Sequence, residues 1–572
     1  MSYFKNKDYL PIFGIIFLAA IVRYWGINFG LPHLLSRPDE GYIVYIVTSP
    51  LSAFHPGTLY YGTFYKYCVL VFYGIYFFLG LIFGKFSSLG DFIAEYAIDP
   101  SNFYLISRYF TALIGTATVY IVFLVTKMLY KKEIALTAAF FLGMSFLHVR
   151  DSHFGIMDVA ATFLVMCSYI FIFRSGETRK VKDYFFAGLF AGLAASTKYL
   201  GVLLVLPLFI SHQFVIGEEG AKFSKRLIDK RLMFFIFSFI VFFIAASPHF
   251  IRDYSFILSF LSSQGRYLEE QRHINLGYGW IYHAKVSLFY GAGWTLLISA
   301  IVGALSFLRR TPKKALVLLI FPAVYYFLVG GSHVVITRYM VPLIPFVCIT
   351  GAIFVPGLGS RLFNNKKGPA KGFFTILLAL IIISPSAYSL LRFDKLLATK
   401  DNRLIAAEWA QDNMPQGSTV YQSGTKFGNL YIWEDLGRLE AEHEKVIASG
   451  GKGRVSGARV EYQKRRNIIG YKQWEYDAGK KKFTYNDEEV QGLPDYIIIE
   501  ESPLLLYSAT SEGVREILRR NYTLLEEFKA LDMNEKGNVY DQQDAFYMPF
   551  SGFRGVVRPG PNIYIYERIH ER

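Results

Sequence analysis

Long apolar runs alternate with short polar connectors through the first 390 residues of the chain. A helix needs about 20 apolar residues to cross the hydrocarbon core of a bilayer. Several runs reach this length, and the shorter ones predict bent or partial spans. The pattern predicts about eleven transmembrane helices, at residues 9–30, 103–128, 134–149, 157–174, 184–197, 199–216, 232–250, 286–308, 314–331, 339–356 and 372–390.

The charge of the connectors predicts the orientation of these spans. Every second connector is basic: residues 131–132, 174–182, 222–231, 309–314 and 361–371. Because Lys and Arg concentrate in cytoplasmic loops, these connectors are predicted to face the cytoplasm. The first run has no small-residue cleavage site after a short apolar core, so we predict a retained span with a cytoplasmic N-terminus. A chain that begins in the cytoplasm and crosses the membrane eleven times ends on the extracytoplasmic side.

One further apolar stretch, residues 67–84, does not fit this alternation of cytoplasmic and outer connectors. If it crossed the bilayer, every later basic connector would lie on the wrong side. We therefore predict a hydrophobic helix in the outer interface, within one large outer loop of residues 31–102. The alternative is that residues 67–84 do cross the bilayer and that another span has been miscounted, so that the later connectors keep their sides.

After Arg392 the composition becomes that of a mixed α/β protein. Residues 402–413 predict a helix, whereas residues 418–422, 496–500 and 563–566 predict strands. Residues 448–490 are rich in Gly, Lys and Arg and predict an irregular insertion. We therefore divide the chain into a transmembrane domain, residues 1–390, and an extracytoplasmic soluble α/β domain, residues 391–572. Binding or scaffolding is the expected role of the second.

Composition and charge support a membrane protein. Hydrophobic residues make up 53% of the chain and aromatic residues 17%, too many for one soluble core. Residues 1–390 contain 34 Lys and Arg against 17 Asp and Glu, whereas residues 391–572 contain 26 against 28. The basic surplus thus belongs to the membrane half, which indicates loops at an anionic leaflet and no nucleic-acid partner. All three cysteines lie in apolar stretches, so no disulfide framework is predicted.

Two adjacent carboxylates, Asp39 and Glu40, follow the first apolar run. Pro38 and Gly41 flank the pair, which predicts a turned backbone and an interfacial helix that begins near Tyr42. One interpretation is that the acids cap this helix. The other is that they act chemically at the membrane edge.

Further ionisable and aromatic side chains fall in connectors on the same predicted outer face. They are Lys66, Arg150, Asp151, His153, Asp158, Lys198, Arg338 and Tyr339. Charged groups at the ends of membrane helices are costly, and their shared side favours a function. Lys198 and Arg338 could instead extend to the lipid headgroups.

Together these residue types can support displacement of a phosphate leaving group. A carboxylate can accept the proton of an attacking hydroxyl, and Lys or Arg can neutralise the departing phosphate. A second acid can orient the nucleophile or hold a divalent cation. The sequence specifies no cofactor, and it leaves the requirement for a divalent metal ion open.

The chain resembles the GT-C glycosyltransferases, in the branch of the protein O-mannosyltransferases and the lipid A aminoarabinose transferases. The order and spacing of the matching motifs cover residues 1–420. The motifs are Arg37-Pro38-Asp39-Glu40, Phe64-Tyr65-Lys66, Ser107 to Gly115, Ile156-Met157-Asp158, Gly192 to Gly201, Thr337 to Pro345 and Arg403 to Pro415.

The resemblance implies transfer of a sugar from a polyprenyl-phosphate donor to a glycan, lipid or protein acceptor, with inversion, outside the plasma membrane. It implies interfacial helices in the first outer loop. It makes Asp39 the base and Glu40 an acid of the acceptor or metal site. Asp158 becomes an acid of the second loop, a role for which Asp151 competes because it lies in an unusual cluster. Lys66 and Arg338 would bind the donor phosphate, and the remaining candidates, Arg150, His153, Lys198 and Tyr339, would contact substrate.

Two alternatives stay open. An oligosaccharyltransferase would carry a Trp-Trp-Asp motif in its C-terminal domain, of which Ile432-Trp433-Glu434-Asp435 is a poor version. A lipid or sugar transporter would place its charges near mid-membrane and contain inverted repeats, and neither feature is found.

Overall fold

The computed structural model describes residues 10–48, 62–218, 220, 228–252, 274–362 and 369–569. The chain forms two compact units. The first comprises Met1–Ile27, Ser49–Leu70 and Ser107–Asp394. The second comprises Asn28–Thr48, Val71–Ile106 and Lys395–Arg572. The C-terminal part therefore shares a unit with two pieces of the predicted first outer loop.

The helices long and apolar enough to span a membrane number seven among the described residues, or nine if two bent pairs are single spans. The seven are Phe64–Ile82, Ser101–Leu129, Asp158–Thr178, Tyr199–Glu218, Pro312–Gly330, Thr337–Pro356 and the segment Gly372–Asn413. The bent pairs are Lys132–Gly143 with Phe146–Ser152, at 56°, and Gly279–Gly291 with Trp294–Arg310, at 110°. A polytopic helical membrane protein is confirmed, but the predicted count of eleven is not.

The difference in count has a simple origin. Three predicted spans correspond to helices of 15 to 17 residues, Leu10–Tyr24, Val181–Thr197 and Lys230–Ala246, which are short for a full crossing. Conversely, the stretch assigned to the interface forms the 19-residue helix Phe64–Ile82, which is long enough to cross. Its interfacial placement stays a prediction.

Three helices overlap spans that are already given: Ile344–Leu362, Pro369–Leu397 and Asn402–Asn413. The remaining helices are shorter. They are Glu40–Val44, Tyr45–Val47, Leu89–Ile98, His249–Arg252, Leu436–Ala448, Arg454–Arg466 and Glu512–Asn521.

Within the first unit, the helix Val181–Thr197 packs against both Asp158–Thr178 and Lys230–Ala246. Gly188 and Gly192 make the second contact close: a Cβ at Gly188 would lie 2.4 Å from the carbonyl oxygen of Phe235. This small-xxx-small spacing is typical of helices that pack tightly in membranes. The packing fixes the C-terminal end of Val181–Thr197, where Lys198 follows.

The second unit is built on a seven-stranded sheet. Its strands are β1 (Thr419–Gln422), β2 (Lys472–Asp477), β3 (Lys482–Tyr485), β4 (Glu488–Glu489), β5 (Tyr496–Glu501), β6 (Tyr522–Phe528) and β7 (Asn562–Arg568). The strand order is β4-β3-β2-β1-β5-β7-β6. β1 pairs in parallel with β2 and β5, and all other pairs are antiparallel.

Both faces of this sheet are covered, as the apolar run of β5 requires. Ile498 faces one core with Ala406 and Ala410 of the helix Asn402–Asn413. Ile497 faces the other core with Val514 of the helix Glu512–Asn521. The predicted helix at 402–413 and the three predicted strands are confirmed.

The prediction for residues 448–490 is wrong. This stretch contains the helix Arg454–Arg466 and the strands β2, β3 and β4. Gly453 and Gly470, which flank this helix, both have positive φ, and most of the charged side chains of the stretch are exposed.

Candidate functional site

An ion pair joins two helix ends in the first unit. Asp158 is the first residue of Asp158–Thr178, and Lys198 directly follows Val181–Thr197. The Lys198 Nζ donates to Asp158 Oδ1 at 2.5 Å, with Asp158 almost fully buried and Lys198 about one-fifth exposed. Each charge lies at the end of its helix where the dipole favours it. Each of the two charges is thus stabilised both by the other and by its place at the end of its helix.

Tyr339 completes this group. The Lys198 ammonium lies 5.0 Å from the centroid of the Tyr339 ring. The Tyr339 carbonyl accepts a hydrogen bond from the Tyr325 hydroxyl at 2.9 Å, which anchors the 3-10 segment Thr337–Leu343. Three residues that are distant in the sequence therefore form one cluster of acid, ammonium and aromatic ring.

Arg150 and Asp151 form a second pair in the first unit. The Arg150 Nη1 donates to Asp151 Oδ2 at 3.0 Å and lies 3.5 Å from the Thr337 hydroxyl. Both side chains are buried, and the Arg150 guanidinium stacks 5.4 Å from the Phe154 ring centroid. Arg338 and Lys66 are also buried, with exposed fractions of 4% and 5%.

The bend before this second pair is held by a residue that sequence reasoning did not single out. Arg23 donates to the carbonyl oxygens of Leu142 and Gly143, at 3.2 and 3.1 Å, where the helix Lys132–Gly143 ends. It also contacts His148 Nδ1 at 3.0 Å. Arg23 thus satisfies carbonyls that the break leaves without helical partners.

His153, like Arg23, contacts backbone carbonyl oxygens. Its two ring nitrogens face the carbonyl oxygens of Val149 and Trp25, at 2.9 and 3.0 Å. Such backbone contacts are typical of a packing role. The substrate contact predicted for His153 stays a prediction.

Asp39 and Glu40 belong to the second unit. Asp39 precedes the helix Glu40–Val44 as its N-cap, but its side chain makes no capping hydrogen bond. Asp39 is half-buried and Glu40 fully buried. The helix near Tyr42 is confirmed, whereas the capping interpretation of Asp39 lacks the hydrogen bond that it requires.

The adjacent Arg37 ties this acidic stretch to the C-terminal part of the chain. Its Nη1 donates to Asp544 Oδ1 at 2.6 Å, and both side chains are buried. The guanidinium also lies 5.4 Å from the centroid of the Phe546 ring. Sequence reasoning missed Asp544 because 507 residues separate the partners and no local motif marks the pair.

His33 and Glu500 are among the groups of the second unit whose pKa values are shifted. Burial, followed by the charge of Arg403, lowers the pKa of His33 to about 4, so the ring is neutral and its Nε2 lies 2.8 Å from the Asn429 carbonyl oxygen. Burial raises the pKa of Glu500 to about 8, against the opposing effects of the Thr425 N–H and the Arg403 charge. Arg403 itself forms a bidentate pair with Asp401, at 2.9 and 2.6 Å.

A metal role was predicted for Glu40. In the described ranges, no three His, Cys, Asp or Glu side chains form a group that could hold a metal ion. The metal role of Glu40 stays a prediction.

The structure thus brings together Asp158, Lys198 and Tyr339, and separately Arg150 and Asp151, within the first unit. Asp39 and Glu40 lie in the second unit. The roles of all these residues stay predictions.

Comparison with known proteins gives one family match. Residues 105–251 match the profile of the family described as dolichyl-phosphate-mannose-protein mannosyltransferase. No curated protein matches the chain significantly.

Several solved structures are similar at low identity. The oligosaccharyltransferase of Archaeoglobus fulgidus in its apo form has 12% identity and a TM-score of 0.49, over 100% of this chain and 90% of that one. Apo ArnT from Cupriavidus metallidurans has 12% identity and a TM-score of 0.48, over 97% of both chains. The S. cerevisiae Pmt1-Pmt2 complex has 19% identity and a TM-score of 0.32, over 45% of this chain and 35% of that one.

The family match spans the helices that carry Arg150, Asp151, Asp158 and Lys198. It confirms the resemblance to the GT-C glycosyltransferases that the sequence motifs indicated, and with it the expectation that this integral membrane protein is a glycosyltransferase of the GT-C type.

Proposed function

We propose that the protein transfers a sugar from a polyprenyl-phosphate donor to an acceptor hydroxyl on the extracytoplasmic side of the plasma membrane, with inversion at the anomeric carbon. The observation that carries this proposal is the cluster of Asp158, Lys198 and Tyr339, in which the buried Asp158 and its partner Lys198 belong to the family-matched segment. Buried ionic groups at the ends of apolar helices are expensive to keep and favour a functional site.

The proposed reaction is a displacement. The acceptor oxygen forms a bond to the anomeric carbon as the bond from that carbon to the phosphate oxygen breaks. The acceptor proton passes to the carboxylate of Asp39, and the electron pair of the broken bond leaves with the polyprenyl phosphate. Cationic groups that stabilise this charge lower the barrier.

Each predicted residue has a role in this scheme. Asp39 is the base, and Glu40 orients the acceptor. Lys66 and Arg338 stabilise the donor phosphate. The remaining candidates, which are Arg150, Asp151, His153, Asp158, Lys198 and Tyr339, shape the sites for the donor and the sugar.

Reconstitution with a lipid-linked sugar tests the function. Proteoliposomes that contain the full chain are supplied with radiolabelled polyprenyl-phosphate mannose or glucose and with a membrane extract as the source of acceptor. We expect a labelled glycoconjugate together with free polyprenyl phosphate. Movement of intact donor across the bilayer without a new glycosidic bond would identify a transporter and reject the proposal.

The phosphate contacts give a quantitative prediction. Arg338→Ala and Lys66→Ala should each raise the donor KM or lower turnover by roughly 10- to 100-fold, because a charge-assisted hydrogen bond contributes about 1.5–3 kcal/mol. Steady-state kinetics with varied donor concentration measure the effect. Lys313→Ala is the matched control, since Lys313 is 59% exposed and forms a surface ion pair with Glu218. Unchanged donor kinetics would remove the altered residue from the phosphate site.

The proposed orientation can be tested by cysteine labelling. In a background that lacks Cys68, the exposed sites Ser87→Cys and Ala509→Cys should react with an impermeant maleimide in intact cells. Lys313→Cys lies in a basic connector and should react only after permeabilisation. Protection of either of the first two sites in intact cells would contradict the orientation.

A further inference from the structure

The second unit contains a cavity of about 310 Å³, a volume within the range of small-ligand sites. Four helices contribute to its wall: Leu89–Ile98, Asn402–Asn413, Leu436–Ala448 and Arg454–Arg466. Pro32 and the segment that leads from β1 to the helix Leu436–Ala448 supply the rest. None of the predicted transfer residues lines this cavity, so it is separate from the site discussed above.

The cavity combines aromatic rings with hydrogen-bonding groups. Tyr431, Trp433 and Tyr462 line it, and the last two rings lie 5.8 Å apart at an interplanar angle of 32°. The polar lining groups are Asp99, Glu408, Gln411, Glu434, Arg459 and Gln463. Aromatic faces beside carboxylates and amides suit a ligand with apolar faces and hydroxyl edges.

Gln463 gives an independent indication of a ligand. Its side chain is 97% buried, since its exposed fraction is 3%. Its Nε2 donates to the Glu434 carbonyl oxygen at 3.3 Å, whereas its Oε1 has no hydrogen-bond donor among the described residues. A buried acceptor that lacks a partner destabilises the folded protein. A rotation of the Gln463 side chain that turns this oxygen toward the cavity would let a ligand hydroxyl satisfy it.

The wall is held in place by contacts of its own. The Arg459 Nε donates to the Ala97 carbonyl oxygen at 3.1 Å, which joins the helix Arg454–Arg466 to Leu89–Ile98. This contact fixes part of the cavity wall, so binding would cost little ordering there.

The charges of the lining restrict the ligand further. Three carboxylates face a single Arg, and the Arg is already bound to a backbone carbonyl. An excess of carboxylates disfavours phosphate, acidic sugars and acidic peptides. A neutral polyhydroxylated ring fits both the charge and the aromatic walls.

We propose that this cavity binds a neutral saccharide, which serves as the acceptor glycan of the transferase. Trp433 and Tyr462 would stack on the pyranose face, and the Gln463 Oε1 would accept a hydrogen bond from a sugar hydroxyl. The assignment as acceptor rests on the proposed function, whereas the saccharide site does not.

A glycan-binding experiment tests the site. The detergent-purified full chain is applied to an array of immobilised di- to tetrasaccharides built from mannose, glucose, galactose and N-acetylglucosamine, with uronic-acid glycans and casein peptides as further probes. The wild type should bind at least one neutral glycan. Trp433→Ala should weaken this binding at least tenfold, whereas the control Trp474→Ala, in β2 and outside the cavity, should not.

Gln463→Leu is the second variant. It removes the unsatisfied carbonyl at similar volume, so Tm should change little while glycan binding falls several-fold. Weaker glycan binding at an unchanged Tm would show that Gln463 contacts the ligand and does not merely pack the fold. This second variant also tests the site if Trp433→Ala fails to fold.

Several results would overturn the proposal. They are an absence of binding to every neutral glycan, a preference for acidic glycans or casein peptides, and equal binding by Trp433→Ala or Gln463→Leu. The donor assay separates this outcome from failure of the proposed function. Glycan binding without donor consumption would support the saccharide site and reject the transferase function. Donor consumption without glycan binding would support the transferase function and reject the saccharide site.

Discussion

Asp39→Asn is expected to lower the turnover of sugar transfer by roughly 10²–10⁴-fold, the contribution of a positioned general base. The amide keeps the shape of the carboxylate but cannot accept the proton of the acceptor hydroxyl. Donor binding should survive, because cations elsewhere would hold the lipid phosphate. Initial rates and donor KM in proteoliposomes measure both effects.

Thermal stability supplies the control for this variant. Since the Asp39 side chain makes no capping hydrogen bond, its replacement should leave the Tm in detergent nearly unchanged. Glu40→Gln should raise the acceptor KM with a smaller fall in turnover. A fully active Asp39→Asn protein would exclude Asp39 as the base.

Asp544→Leu is expected to lower the free energy of unfolding of the second unit by about 3–5 kcal/mol, because it leaves the buried Arg37 guanidinium without its carboxylate. The paired change Arg37→Met with Asp544→Leu should recover much of this loss, since an apolar pair of similar volume avoids the uncompensated charge. Hydrogen exchange of the second unit in the full chain measures the stability of each variant.

The same pair gives a functional readout that stability alone would not produce. Arg37 is two residues from Asp39, so the double variant should fold yet transfer sugar more slowly, with donor KM unchanged. A double variant that is as active as the wild type would show that this ion pair does not position Asp39. Glu535→Ala, which changes an exposed acid on the same segment, is the control.

The C-terminal part of the chain thereby gains a more specific role than the scaffolding first expected. It forms one compact unit with residues 28–48, and the Arg37 to Asp544 contact lies within that unit. If Asp39 is the base, this unit carries the base.

Local patterns were sufficient for most elements of the fold. Hydrophobic runs predicted a helical membrane protein, because burial of apolar side chains in lipid requires long apolar helices. The strands of the second unit followed from runs such as Tyr496–Glu501, which are apolar on both faces. The failure at residues 448–490 has the same basis, since β2 and β3 mix charged side chains with half-buried aromatic ones and show no apolar run.

The sequence by itself determined the class of protein, its family resemblance and the acidic and basic residues from which a site could be built. Only the tertiary structure decided which of them meet: Asp158 with Lys198, Arg150 with Asp151, and Arg37 with Asp544. The physical reason is range. Helix periodicity and capping act over a few residues, whereas an ion pair between distant segments depends on how whole helices pack, and no local pattern records that packing.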